Sequence, residues 1–185
     1  MKELMDYDLK LRQSEEQIAD LQDKMRGLQY EAIHDPDTQL YSNAYFHSRL
    51  NEEIIRSERY RHFLSLILIH VELENSHSTQ QVTQEIKRIG LEMMTGLTRR
   101  TDIVTHYRRR QIVIMLPETD PRGVGVLLQR YQATFPNNGR RLTYAVLTYP
   151  NGASNIELIL NRLQDLSEDL FRGNGRLSAI PPENG

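Results

Sequence analysis

Arginine dominates the positions where this chain could bind or transform anything. Arg108, Arg109 and Arg110 follow one another between two apolar runs, with Gln111 next. Three adjacent guanidiniums repel a cation and attract an anion. The cluster is therefore either a solvated turn that protects a sheet edge from aggregation or a contact for an acidic partner or a phosphate. Upstream, Arg99-Arg100-Thr101-Asp102 places cations and a carboxylate within one turn. Cations favour the carboxyl end of a helix, and read on its own this run is a helix end whose Asp102 pairs with an arginine. His70 and Glu72 are two apart on a strand and share a face, with His77 nearby. They form a candidate metal pair, although a histidine at a strand end is more commonly structural. Gly123-x-Gly125 lacks the rest of a dinucleotide fingerprint. The chain has no Cys and no recognisable Ser/His/Asp order, so the usual nucleophiles are missing.

These residues need a scaffold, and the apolar pattern supplies one. Asp102–Tyr107 and Gln111–Leu116 are short, β-branched runs, predicting antiparallel strands joined at the arginines. A two-residue hairpin turn prefers Gly or Asn, and neither is present. Leu64–Leu73 is almost continuously apolar, as a strand in a sheet interior should be. Helices are expected over about Ser42–Tyr60, Val82–Leu97, from Asp120-Pro121 onward, and from Ser154 to about Leu170. Leu142–Tyr149 reads as a strand closed by Pro150-Asn151-Gly152, and Arg176–Ile180 as a short last strand after Gly173-Asn174-Gly175. The fold class is α+β, with helices flanking a mostly antiparallel sheet.

The first 33 residues are different. Leu4, Leu11, Ile18 and Met25 recur every seven residues, and Tyr7, Ser14, Leu21 and Leu28 lie three further on. Those are the two seam positions of a coiled coil. A helix of about 40 Å cannot bury such a stripe alone. The pattern predicts a parallel homodimer through residues 4–28, against the alternative of a helix folded back onto the domain. Asp35-Pro36 ends the helix. The expected organisation is a dimerisation helix over 1–33, a domain over 34–180 and a tail over 181–185. In a chain of 185 residues with a net charge of −2, nothing favours nucleic-acid binding. The charged start argues against export, and the longest apolar run is too short for a bilayer, so a cytoplasmic protein is expected.

Two segments carry a resemblance. Arg99-Arg100-Thr101-Asp102, five residues, Arg108-Arg109-Arg110-Gln111-Ile112 and then VIMLPETD resemble the signature region of GGDEF domains, the diguanylate cyclases of cyclic di-GMP signalling. In that family Arg-x-x-Asp precedes a Gly-Gly-Asp/Glu-Glu-Phe turn and an apolar strand ending in Pro. His34-DPDTQLYSNAYF-His47 is similar to the opening of the same domain, usually close to DPLTGLYNRRYF. The resemblance spans about Asp35–Arg176 and implies a nucleotidyl-cyclase-like fold.

It also implies losses. The family holds divalent metal with an Asp at the end of the first strand and an acid in the signature. Those positions are His70 and Arg110 here, and the following Glu is Gln111. Magnesium wants hard oxygen ligands, which neither His70 nor Arg110 offers. The paired glycines are Arg108 and Arg109, the guanine-reading positions fall near Ser78 and Gln84, and the phosphate-binding Lys is Asn75. A degenerate domain without cyclase activity, metal or cofactor is implied. The Arg-x-x-Asp of the family's inhibitory site is kept in Arg99 and Asp102, and an Arg from the next helix corresponds to Arg130. An Arg fork can bond guanine O6 and N7, and a carboxylate can accept from N1 and N2. Arg99, Asp102 and Arg130 are thus the candidate cyclic di-GMP contacts, and Arg108, Arg109 and Arg110 the candidate partner or phosphate contacts. The alternative is a ligand-independent dimeric scaffold that binds an unidentified protein.

Overall fold

The computed structural model describes residues 2–74, 78–136, 138–150 and 156–172. Asn75, His77, the Asn151-Gly152 turn, Ser154, the glycines at 173 and 175, the strand expected over Arg176–Ile180 and the tail lie outside them.

The centre is β1 (Leu64–Leu73), whose first eight residues are all buried. It pairs antiparallel with β3 (Gln111–Pro117) on one side and β4 (Arg140–Tyr149) on the other, and β2 (Ile103–Arg108) completes the order β2-β3-β1-β4. The apolar continuity of β1 follows from having both faces covered. On one face Leu64, Leu66 and Leu68 pack with Phe46, Leu50 and Ile54 of α2 (Asn43–Tyr60) and Ile159, Leu163 and Leu170 of α5 (Ile156–Phe171). On the other, Ile67, Ile69 and Val71 pack with Val82, Ile86, Ile89 and Met93 of α3 (Thr79–Gly96) and Val124 and Tyr131 of α4 (Pro121–Thr134). The β1-α3-β2-β3-α4-β4 run is a split βαβ sheet with its two connecting helices on one face.

The ends of these elements follow local chemistry. Ser42 accepts the Tyr45 N–H at 3.2 Å and Asp120 accepts the Gly123 N–H at 2.8 Å, each capping its helix. α3 begins three residues before the expected Val82, because polar Thr79, Gln80 and Gln81 occupy its first turn without an apolar period. β2 is displaced by one residue from the expected Asp102–Tyr107, and β4 starts ahead of the expected Leu142.

α1 (Lys2–Ile33) precedes the sheet. Leu11, Ile18, Leu21, Met25 and Leu28 are 53–67 % exposed, so the stripe is not folded back onto the rest of the chain. The helix is nevertheless joined firmly. The Ser42 N–H donates to the Ile33 carbonyl at 2.7 Å, Tyr41 donates to Val104 at 3.1 Å, and His106 donates to Tyr41 at 3.1 Å. Tyr30, His34, Tyr41 and Tyr45 form a continuous ring stack across the joint, with centroids 4.0, 5.0 and 4.8 Å apart. Below it Asp35 accepts the Thr38 N–H at 2.8 Å and lies 3.1 Å from the His106 ring nitrogen. Burial pushes the Asp35 carboxyl up, but Thr38 and His106 outweigh it and hold the group below its ordinary value.

Candidate functional site

Two arginine-bearing turns flank β2, one at each end, and the sheet fixes both. The first is the β2–β3 turn. Arg108 pairs with Gln111, which leaves Arg109 and Arg110 as the two turn residues, and an irregularity at Tyr107 interrupts the ladder. Neither turn residue has the positive φ that the glycine-rich hairpin turns require. The strand irregularity takes up the twist instead, and arginines are tolerated where glycine was expected. The Arg110 carbonyl accepts the Val71 N–H at 2.8 Å, tying the turn to β1.

The β1–β3 register sets His70 directly opposite Gln111. Both side chains are buried on the face covered by α5. Gln111 is locked there: its amide donates to the Ser167 carbonyl at 2.8 Å, and the Ser167 hydroxyl donates to its oxygen at 2.5 Å. His70 meets Phe171 edge-on at 6.1 Å and lies 3.7 Å from Glu72, whose other oxygen accepts from Arg141 at 2.8 Å. Burial lowers the His70 pKa; Glu72 opposes this, while Arg110 and Arg141 add to it. The candidate His70–Glu72 metal pair is thus one neutral-leaning imidazole and one carboxylate already held by an arginine. Among the described residues no group of three His, Asp or Glu side chains could hold a metal ion. The donor set at His70, Arg110 and Gln111 does not fit magnesium, which needs several hard oxygens.

The second place is the turn between α3 and β2. The Asp102 carboxylate accepts the Arg99 N–H at 2.7 Å and the Asp102 N–H donates to the Arg99 carbonyl at 3.1 Å, closing the turn on itself. The reading of Asp102 as a partner of Arg99 is correct, but it is the backbone of Arg99 that bonds, and the guanidinium is left exposed. The other carboxylate oxygen, Oδ1, is buried without a hydrogen-bond partner. Burial pushes the Asp102 carboxyl above its ordinary value, with Arg99 as the main opposing influence. Arg130 lies exposed on α4, next to fully buried Tyr131. The charges of both Asp102 and Arg130 reach the Tyr131 hydroxyl, which is itself buried without a partner. Arg130 and Asp102 thus share Tyr131 as an electrostatic neighbour, and no hydrogen bond or ion pair joins them. Tyr131 is the member that sequence reasoning missed. Its place seven residues after Val124 marks it as core, and nothing in that spacing signals a hydroxyl beside a carboxylate.

This arrangement of sheet, turn and helix pair belongs to a known class. The chain matches the model of the diguanylate cyclase GGDEF domain over residues 32–162, and it belongs to that family. No curated protein matches it. Among solved structures it is similar to the coiled coil and GGDEF domain of DgcB from Caulobacter crescentus in complex with c-di-GMP. There the identity is 13 %, coverage is 90 % of this chain and 94 % of that one, and the TM-score is 0.72. The diguanylate cyclase SiaD from Pseudomonas aeruginosa, solved with its activator SiaC, is 22 % identical over 93 % of this chain and 70 % of its own, with a TM-score of 0.65. The FimX GGDEF domain from the same organism is 14 % identical over 78 % and 97 %, with a TM-score of 0.63. At these identities the likeness establishes the nucleotidyl-cyclase-like α+β fold, as expected from the sequence. No helix among the described residues is long and apolar enough to cross a membrane.

Proposed function

We propose that the chain is a GGDEF domain that recognises cyclic di-GMP without making it, and that α1 relays binding through a parallel coiled-coil homodimer. Loss of turnover follows from charge. Guanidiniums stand where the family places the glycines and the metal-binding acid, and Gln111, fastened to Ser167, cannot accept a proton at neutral pH. Residues 1–33 serve dimerisation, 34–180 form the receptor domain and 181–185 are a tail.

One observation carries the binding half: Asp102 Oδ1 is buried and unpartnered in the turn that carries Arg99. A carboxylate left in that state costs free energy until a donor arrives, and the N1 and N2 hydrogens of guanine are such donors. Arg99 and Arg130 supply forks for the guanine acceptors. Residues of the same type in the same spacing mark the family's inhibitory site, and the DgcB structure was solved with c-di-GMP.

Titration calorimetry with cyclic di-GMP tests this. Saturable binding is expected, weakened in Arg99→Ala by about 1–3 kcal/mol, the range for one bidentate guanine contact. Binding that ignores Arg99→Ala, or none at high micromolar ligand, removes the reading. GTP turnover with magnesium or manganese would remove the inactive half. In the second reading, a ligand-independent scaffold, the exposed α1 stripe and the cationic turn serve protein contacts alone.

A further inference from the structure

The arginine turn does not end in open solvent. With the last turn of α5 it encloses a cleft of about 390 Å³ lined by Arg108, Arg110, Gln111, Ser167, Glu168 and Phe171, among others. The Gln111–Ser167 bonds make a rigid, satisfied floor. Phe171 is 66 % exposed, held edge-on against buried His70, and presents its ring at the side of the cleft. Among the described residues no carboxylate pairs with Arg108, Arg109 or Arg110, in a chain whose net charge is −2. Arg172, across the cleft, is already paired with Glu168 at 3.3 Å.

The three guanidiniums, none paired with a carboxylate, do not converge. Arg109 also lines the cleft but is tied to the Thr79 hydroxyl at the start of α3, and Arg108 lies over the Tyr107 ring at 5.5 Å. A compact polyphosphate wants converging donors, and here it would face two repulsive features. One is the Glu168 carboxylate, only partly offset by exposed Arg172; the other is the carboxyl end of α5, which carries partial negative charge. A ligand whose negative charges are spread out and whose middle is apolar meets neither difficulty. It can set carboxylates on the arginine side and an apolar group on the phenylalanine side. Arg and aromatic side chains together are the usual anchors of protein interfaces.

We propose that this cleft docks an acidic segment of a protein partner, a bulky apolar side chain seated on Phe171 and flanking carboxylates paired with Arg108 and Arg110. The site lies apart from the Arg99–Asp102 turn, so it stands or falls independently of cyclic di-GMP binding.

The test is fluorescence anisotropy of the full chain with a short labelled peptide in which glutamates flank a single phenylalanine. Saturable binding is expected, weakened by about tenfold or more in Arg108→Glu/Arg110→Glu and weakened again at high salt. Phe171→Ala, and replacement of the peptide's phenylalanine by alanine, are each expected to weaken it by about fivefold or more. The peptide-side change keeps the result readable if a protein variant fails to fold. Three outcomes overturn the proposal: no binding at millimolar peptide, equal binding when glutamines replace the glutamates, or indifference to the peptide's phenylalanine with full displacement by inorganic pyrophosphate at matched ionic strength. The last would make the cleft a phosphate site. Arg99→Ala is expected to leave peptide binding unchanged.

Discussion

Asp102 pays for its position in the absence of ligand. One oxygen closes the turn with the Arg99 N–H, while the other is buried unpartnered near the equally unpartnered Tyr131 hydroxyl. Asp102→Asn keeps an acceptor for that N–H, removes the buried charge and offers a donor. It is expected to stabilise the free protein at neutral pH by about 0.5–1 kcal/mol while abolishing cyclic di-GMP binding. Folding raises the Asp102 pKa from 3.8, so the folded form binds more protons. The penalty is therefore absent at acid pH and appears as pH rises through the folded value. Paired denaturant melts should show the Asp102→Asn advantage at pH 7 and its disappearance towards pH 3.8. His70 has the opposite dependence. Burial lowers its pKa from 6.5, with Glu72 opposing and Arg110 and Arg141 assisting. Stability from neutral His70 is present above 6.5 and is lost as pH falls towards the folded value. His70→Gln should flatten the fall in thermal midpoint between about pH 7 and pH 5. The Arg99–Asp102 turn was legible in the sequence, because the two residues are three apart at a helix end. The buried partners were not. Ser167 bonds Gln111 across 56 residues, and no local spacing reports such a pair.

The sheet and its helices put each of these groups in place, and most were visible as apolar periods. β1 was plain because both of its faces are covered. The β2–β3 turn was anticipated as ill-suited to arginine, and the irregularity at Tyr107 explains how the arginines fit. The start of α3 was misplaced because its first turn is polar. The joint between α1 and the sheet was invisible as a stack, since four rings at uneven spacing look like scattered aromatics. A tight contact behind that joint gives a clear test. A Cβ on Gly90 of α3 would collide with the Leu40 side chain, which is fully buried in the turn leading into α2. Leu40 is fully buried, so its side chain must repack within the core to make way. Gly90→Ala is therefore expected to destabilise the protein by about 1–3 kcal/mol despite alanine's better helix propensity. An unchanged chemical-denaturation midpoint would show that the turn is looser than described.

Across the whole molecule, a rigid domain is tied by hydrogen bonds and stacked rings to a helix whose apolar stripe is uncovered in the single chain. That stripe was the most legible long-range feature of the sequence, because a heptad repeat states its need for a partner. Leu21 and Ile18 lie on its two seams and are 63 % and 53 % exposed. Sedimentation equilibrium should find a dimer, and Leu21→Glu should shift it to monomer without lowering the melting temperature of the rest of the chain. A wild-type monomer at high micromolar concentration would remove the relay. The central claim is recognition without turnover, and a crystal structure grown with cyclic di-GMP tests it most directly. Guanine density is expected with its donor edge on Asp102 and its acceptor edge on Arg99. Density for a divalent ion and nucleotide triphosphate chemistry at the Arg108–Gln111 turn, or an empty Arg99–Asp102 turn at saturating ligand, would contradict it.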